Sequence, residues 1–200
     1  MSKGLGAILG VVGVIVAVVL MIALWVGGLY NSMVAKDEGV KAAWSQVENQ
    51  YQRRLDLVPN LVNTVKGYAE HESSTFEAVT QARANATQVT VDINDAESLA
   101  KFNQAQGELG SALSRLLAVT ENYPELKANQ NFLELQAQLE GTENRISTER
   151  KKYNEVVQDY NIFIRQFPNN FISGFFGFKA AALFEAQEGA DKAPVVDFTK

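Results

Sequence analysis

His71 is the only histidine in the 200 residues, and cysteine is absent. Those two counts settle most of what the side chains could catalyse. Without thiolates there are no disulfides, iron–sulfur clusters, thiolate zinc sites or lipidated N-terminal cysteine, although the redox compartment is left open. His71-Glu72 has the start of a zinc-protease helix, but Thr75 stands where the second metal ligand belongs. A carboxylate-bridged di-iron bundle needs two Glu-x-x-His units, and the chain has none. A Ser-His-Asp arrangement would need a serine held beside His71, and no motif holds one there. The residues therefore point away from an enzyme and toward no cofactor and no metal, with His71 a polar residue near a helix end.

The charged side chains of interest are Arg53, Arg54, Asp56, Glu143, Arg145, Glu149 and Arg150. What would position them is a heptad pattern. Counting by sevens from Phe132 reaches Leu139, Ile146, Tyr153, Tyr160 and Phe167, and the interleaved positions are Leu135, Thr142, Glu149, Val156 and Phe163. Thr142 and Glu149 thus occupy coiled-coil seam positions where apolar residues are expected. A carboxylate in a seam must find a partner or stay protonated, because an unpaired buried charge costs several kcal/mol. Arg53 or Arg54 is the natural partner, so Arg53, Arg54, Thr142 and Glu149 form a candidate polar core layer whose expected task is to fix helix register. A ligand pocket and a solvated rim are its alternatives. Asn31, Asn144, Asn154 and Asn161 recur beside tyrosines or in helical turns, which suits interhelical amide bonds better than a carbohydrate or peptide groove.

A helix from Leu126 to Phe167 would run about 60 Å, too long to cover its own apolar stripe, so it needs partner helices. Their signals lie upstream. Val40, Trp44, Val47, Tyr51, Leu55, Val58, Val62 and Val65 repeat at three and four, with Pro59 inside the run. Proline either kinks one helix or sits in the first turn of a new one; a turn at Asp56 to Pro59 is the favoured reading, since reversal lets the halves cover each other. A second segment runs from Asn60 to about Gln88, with Ser74 and Glu77 at capping-box spacing and a kink or restart near His71. Val89 to Ile93 reads as a loop, Asn94-Asp95 as a cap, and Ala96 to Asn122 as a third helix ended by Tyr123-Pro124.

Between Lys3 and Lys36 there is no charge, and Leu5 to Leu29 is almost wholly apolar. That exceeds the ~20 residues that cross a bilayer, and no small-residue pair marks a signal-peptide cleavage site. Trp25 and Tyr30 suit the headgroup zone at the end nearer the domain. Gly6 and Gly10 have a spacing that admits close helix pairing. Lysines and arginines lean toward a short N-terminus outside and the domain in the cytoplasm. With a net charge of -5 and only Arg150-Lys151-Lys152 as a basic run, nucleic acid is not an expected partner. After Phe167-Pro168 come Phe171, Phe175, Phe176 and Phe178 among glycines, a candidate interface that could fold back on the bundle, touch the bilayer or join two copies. The last dozen residues read as a poorly ordered tail.

Several motifs stand in one order: Tyr30-Asn31, Gln52-Arg53-Arg54-Leu55-Asp56-Leu57-Val58-Pro59-Asn60-Leu61-Val62, Val65-Lys66-Gly67-Tyr68, Tyr123-Pro124-Glu125-Leu126-Lys127-Ala128-Asn129, Thr142-Glu143-Asn144-Arg145-Ile146, Tyr153-Asn154, Tyr160-Asn161 and Phe167-Pro168. Over nearly its whole length the chain resembles the LemA family. The resemblance implies a bacterial, single-pass inner-membrane protein with an N-terminal membrane helix followed by an elongated antiparallel four-helix bundle, its short N-terminus outside, and it supplies no reaction. The expected organisation is an all-α chain with an anchor at 1–30, a bundle at 31–168 and an aromatic, glycine-containing segment and tail at 169–200. Its expected role is a scaffold or interaction protein with the lipid bilayer, a second copy of itself and an unknown protein as partners. A signalling or stress adaptor is the alternative, and a membrane-tethered enzyme is the rival class.

Overall fold

The computed structural model describes residues 2–69 and 71–185, with side chains from residue 8 onward. All regular structure among them is helical. Helix α1 (Ser2–Lys66) has 65 residues, about 98 Å at 1.5 Å per residue. Every large apolar side chain from Ile8 to Trp25 is exposed, so none of the described residues covers that stretch, which suits an apolar medium. From Met33 onward the same helix turns one stripe inward: Val40, Trp44, Val47, Tyr51, Leu55, Val58, Leu61 and Val65 are buried. Spacings of three and four keep them on one face. The anchor and the first bundle helix are thus a single element.

The expected turn at Asp56 to Pro59 does not form. Pro59 lies inside α1. Proline removes the amide that would bond the Leu55 carbonyl and crowds that carbonyl. Here Arg83 Nε, from the neighbouring helix, donates to Leu55 O at 2.9 Å and recaptures it. That bond lets one helix pass through the proline where a reversal was expected. Arg83→Ala orphans the carbonyl and is expected to cost about 1–3 kcal/mol. In a Pro59→Ala background, where the new alanine supplies its own amide, the same change should cost much less; a double-mutant cycle by urea unfolding measures the difference.

Helix α2 (Ser73–Gln88) and helix α3 (Ala96–Thr120) form a hairpin. The Ser74 and Glu77 capping box is not made, for α2 starts two residues earlier, with Glu72 in the cap position and no side-chain cap bond. Asp95 does cap α3, accepting from the Glu97 amide. A one-turn helix α4 (Pro124–Lys127) has Pro124 in its first turn, where the missing amide costs nothing. Helix α5 (Gln130–Arg165) then begins four residues later than expected from Leu126, because Asn129 intervenes as its cap and accepts from the Phe132 amide at 3.0 Å.

Helix α5 runs antiparallel to α1. Along the pair Lys36 meets Phe163, Gly39 meets Val156, Trp44 meets Tyr153 and Arg54 meets Glu143. Phe132, Leu139, Ile146, Tyr153 and Tyr160 are buried, yet the interleaved row departs from the heptad reading. Val157 and Ile164 are buried in place of Val156 and Phe163, and Phe167 lies beyond the helix, exposed. A straight helix drifts ~20° per heptad, and along the second row this drift carries the inward positions forward by one residue toward the C-terminus. Helices α3 and α5 face each other across an open groove of about 560 Å³, so the four long helices are less regular than a tight bundle.

After α5 the chain doubles back. Helix α6 (Asn169–Phe176) is tied to the last turn of α5, where free carbonyls are available: Asn169 Nδ2 donates to Phe163 O and Ser173 Oγ to Ile164 O. It stops at Gly177, whose φ of 77° lies in the left-handed region glycine tolerates. Residues 178–185 then run along α5 without regular structure. The last dozen residues, expected as a poorly ordered tail, lie outside those described.

Candidate functional site

The buried core has two apolar clusters, one nearer the exposed apolar stretch of α1 around Trp44, Phe102, Tyr153 and Phe184, and one distal around Leu61, Leu109, Leu116 and Phe132. Between them lies a layer of buried polar side chains: Arg54, Gln106 and Thr142. Each is flanked along its helix by members of both clusters, Arg54 by Tyr51 and Leu55, Gln106 by Phe102 and Leu109, Thr142 by Leu139 and Ile146. Arg54 links three helices. Its Nη1 donates to Glu143 Oε1 at 2.8 Å, and its Nη2 donates to the Gln106 carbonyl at 3.1 Å and to the Gln106 side-chain oxygen. Its guanidinium also stands 5.2 Å from the Tyr51 ring centroid.

Of the residues anticipated for this layer, Arg54 and Thr142 lie in it, and Thr142 donates to Gln138 O within its own helix. Arg53 points to solvent. Glu149 sits at the rim, 2.7 Å from Lys152. The carboxylate that meets Arg54 is Glu143, nearer the N-terminus of α5, and Gln106, a seam residue of α3 outside the expected set, completes the layer. The Glu143 side chain is half exposed, so the layer opens into the α3–α5 groove on one side only.

A second polar array had a weaker sequence signal. Asn154 and Asn161 each hold one residue of the returning strap by both backbone groups: Nδ2 donates to Phe184 O and Ala181 O at 3.0 and 2.8 Å, while Oδ1 accepts from Phe184 N and Ala181 N, both at 2.9 Å. The tyrosines before them donate as well, Tyr153 to Ala182 O and Tyr160 to Lys179 O. Seven residues of helix advance about 10.5 Å, and three residues of extended chain advance about 10 Å. A Tyr-Asn pair repeated at seven therefore reads residues 181 and 184. The pairs serve backbone recognition within the chain rather than interhelical amide bonds. Phe184 seals the array, stacked 5.9 Å from Trp44 with the Arg150 guanidinium 4.5 Å from its ring.

Burial pushes the Tyr153 and Tyr160 hydroxyls up to about 12, Tyr160 helped by nearby Asp37. A tyrosine held above its unfolded value near 10 favours the folded state below that value, and the advantage disappears as pH rises through 10 toward 12. Loss of the strap in that window, followed by amide exchange at Ala181 and Phe184, is the expected result; Tyr153→Phe with Tyr160→Phe should flatten it.

His71 is exposed in the loop after α1. Among the described residues no three His, Asp or Glu side chains converge as metal ligands.

An unpartnered apolar helix running without a break into a helical core defines a membrane-associated helical protein. The chain belongs to the LemA family, whose model matches residues 43–198. It is similar to the magnetosome protein MamQ 2 of Paramagnetospirillum magneticum, 29% identical over 189 residues that cover 84% of this chain and 68% of that one. The magnetosome protein MamQ of Magnetospirillum gryphiswaldense is 25% identical over 186 residues, with the same coverage. Protein LemA of Metamycoplasma hominis is 23% identical over 161 residues, covering 80% of this chain and 71% of that one.

Proposed function

We propose that this chain is a single-pass scaffold that holds a helical rod upright on a bacterial inner membrane, performs no catalysis and presents its surface to a protein partner. The observation that carries this reading is the continuity of α1 from the exposed apolar stretch into the core. A flexible tether would let the domain wander, whereas an unbroken helix sets its height and tilt. From Tyr30 to Lys66 the helix rises about 54 Å above the apolar boundary. The polar layer supports the same reading, because Arg54 is occupied by Gln106 and Glu143. The anchor at 1–30, the bundle at 31–168 and the segment from 169 onward are the working parts, with the strap to 185 serving the bundle. The lysine and arginine count supports a cytoplasmic domain.

Self-association belongs to the membrane helix in this reading, since α1 and the strap cover most of the α5 seam inside one chain. Gly10 and Gly13 have open space around them, and Gly6-xxx-Gly10 admits a second helix. Light scattering on the full chain in detergent should give more than one copy per particle, shifted toward monomer by Gly10→Ile. A monomer before substitution contradicts self-association. Photo-crosslinkers placed in living cells at exposed positions of α2 and α3, such as Gln81 and Gln104, should give one discrete adduct. A scaffold without a bound partner at any such position would overturn the interaction role.

A further inference from the structure

Four phenylalanines after α5 are left wholly or half exposed by the described residues. Phe167, Phe171 and Phe175 are 81%, 68% and 84% exposed, and Phe176 is half exposed. Phe171 and Phe175 are one turn apart on α6, opposite the Asn169 and Ser173 side chains that fasten the helix to α5. The rings pair, with Phe167 and Phe171 centroids 6.0 Å apart and Phe175 and Phe176 centroids 5.1 Å apart. They make an apolar shelf on the order of several hundred Å², far more than isolated surface residues present.

The height of this shelf is set by the anchor. Phe176 and Phe178 lie 4.8 and 5.7 Å from Tyr30, the residue that closes the apolar run of α1. Trp25, exposed, stands five residues toward the bilayer, about 7.5 Å along the helix. The shelf therefore continues the surface that the bilayer must cover. Its charges agree: from Tyr160 to Phe184 there is no acidic residue, and the two cations, Arg165 and Lys179, are both exposed. Phenylalanines flanked by cations on a short amphipathic helix have the composition of an element that lies in the headgroup zone, its apolar face roughly 5–10 Å deep.

We infer that α6 is a second membrane contact, lying in the interface of the same leaflet from which α1 emerges, with Phe167, Phe171 and Phe175 among the acyl chains and Arg165 and Lys179 at the lipid phosphates. Two contacts on one leaflet fix the rotation of the rod about the α1 axis, which a single helix leaves free. The strap closes this arrangement, since the bonds from Tyr160 and Asn161 to Lys179 and Ala181 hold Phe178 against α1. The inference rests on reading α1 as the bilayer anchor.

Because the chain has no cysteine, single cysteines can be labelled in the full-length protein. Cysteine variants Phe175→Cys, Val18→Cys and Lys151→Cys, each carrying an NBD fluorophore, would be reconstituted in vesicles of phosphatidylcholine and phosphatidylglycerol with spin-labelled lipid. The label at 175 should be blue-shifted and lose most of its emission to a shallow quencher; that at 18 should respond to a deep quencher, and that at 151 to neither. An unquenched label at 175 beside a quenched label at 18 overturns the shelf and leaves the anchor standing. A blue shift at 175 without quenching by lipid would mean that a second protein surface covers it, and also overturns the inference. An unquenched label at 18 overturns the anchor itself. Phe171→Cys repeats the measurement, so poor folding of one variant does not decide the result.

Discussion

Asn154→Ala combined with Asn161→Ala should release the strap and lower the unfolding free energy by about 3–5 kcal/mol, the range for losing a buried phenylalanine. The two amides are the side chains that hold both backbone groups of Ala181 and Phe184. Without them, four backbone groups face apolar surroundings, and each such orphan costs about 1–3 kcal/mol. Detachment is the cheaper outcome, and it removes Phe184 from its place against Trp44 and Tyr153. Denaturant unfolding gives the magnitude, and limited proteolysis of residues 178–185 reports detachment directly. Each single substitution should show a smaller effect, since one clamp still holds. Full protection of the double variant from protease would mean that Phe184 packing alone secures the strap.

Glu143→Ala should cost about 2 kcal/mol, less than the about 3–5 kcal/mol of a wholly buried pair because the carboxylate is half exposed. It leaves the Arg54 charge enclosed with only Gln106 and the Tyr51 ring for company. Arg54→Leu removes that charge altogether and should come close to neutral in stability, since apolar replacement of a buried ion is often tolerated. What Arg54→Leu should lose is uniqueness: with no polar group marking the boundary between the two apolar clusters, α3 gains alternative registers against α1. Amide NMR spectra would show this as doubled or broadened peaks around residues 102–110. Glu149→Leu, at the rim beside Lys152, should change stability little and leave the spectra sharp. Equal losses from Glu143→Ala and Glu149→Leu would place the layer at the wrong glutamate.

These two sites differ in how legible they are before folding. A polar layer follows from Thr142 and an arginine pair near one level of the helices, yet the heptad count points to Glu149, because it treats a straight helix as a supercoiled one. Drift between 3.6 and 3.5 residues per turn moves the inward row to Val157 and Ile164, leaving Glu149 at the rim. Arg53 and Arg54 are adjacent, and the three-and-four spacing of the apolar run favours Arg54, three residues after Tyr51 and four before Val58. Pro59 is harder still. Its local chemistry argues for a turn, and the bond that reverses that preference comes from Arg83 on another helix, which no window around the proline contains. The strap lacks any periodicity of its own. Its one advance signal is the Tyr-Asn pair repeated at seven, which reads as interhelical amide bonds because nothing in α5 itself announces an extended partner. By contrast the apolar stretch of α1, the Asp95 cap, the loop at 89–95 and the third helix depend on local or single-element rules, and all are visible in the residues.

The aromatic segment shows the same limit from the other side. Four phenylalanines near glycine announce an interface, but the choice among bundle, bilayer and second copy needs a height, and height is supplied by Tyr30 meeting Phe176 and Phe178. Packing of Phe178 on the bundle and exposure of Phe167, Phe171 and Phe175 divide the segment between two environments.

The claim beneath all of this is that one rigid helix carries the bundle out of the bilayer and through Pro59. Spin labels at Gly28→Cys and Lys66→Cys, in the full chain reconstituted in nanodiscs, test it by pulsed dipolar spectroscopy. An unbroken helix of about 38 residue steps predicts a narrow distribution centred near 57 Å. A reversal at Pro59 would bring Lys66 back beside the middle of α1 and shorten the distance to roughly 35 Å, and a hinge at the membrane boundary would broaden it; either result contradicts a rigid rod.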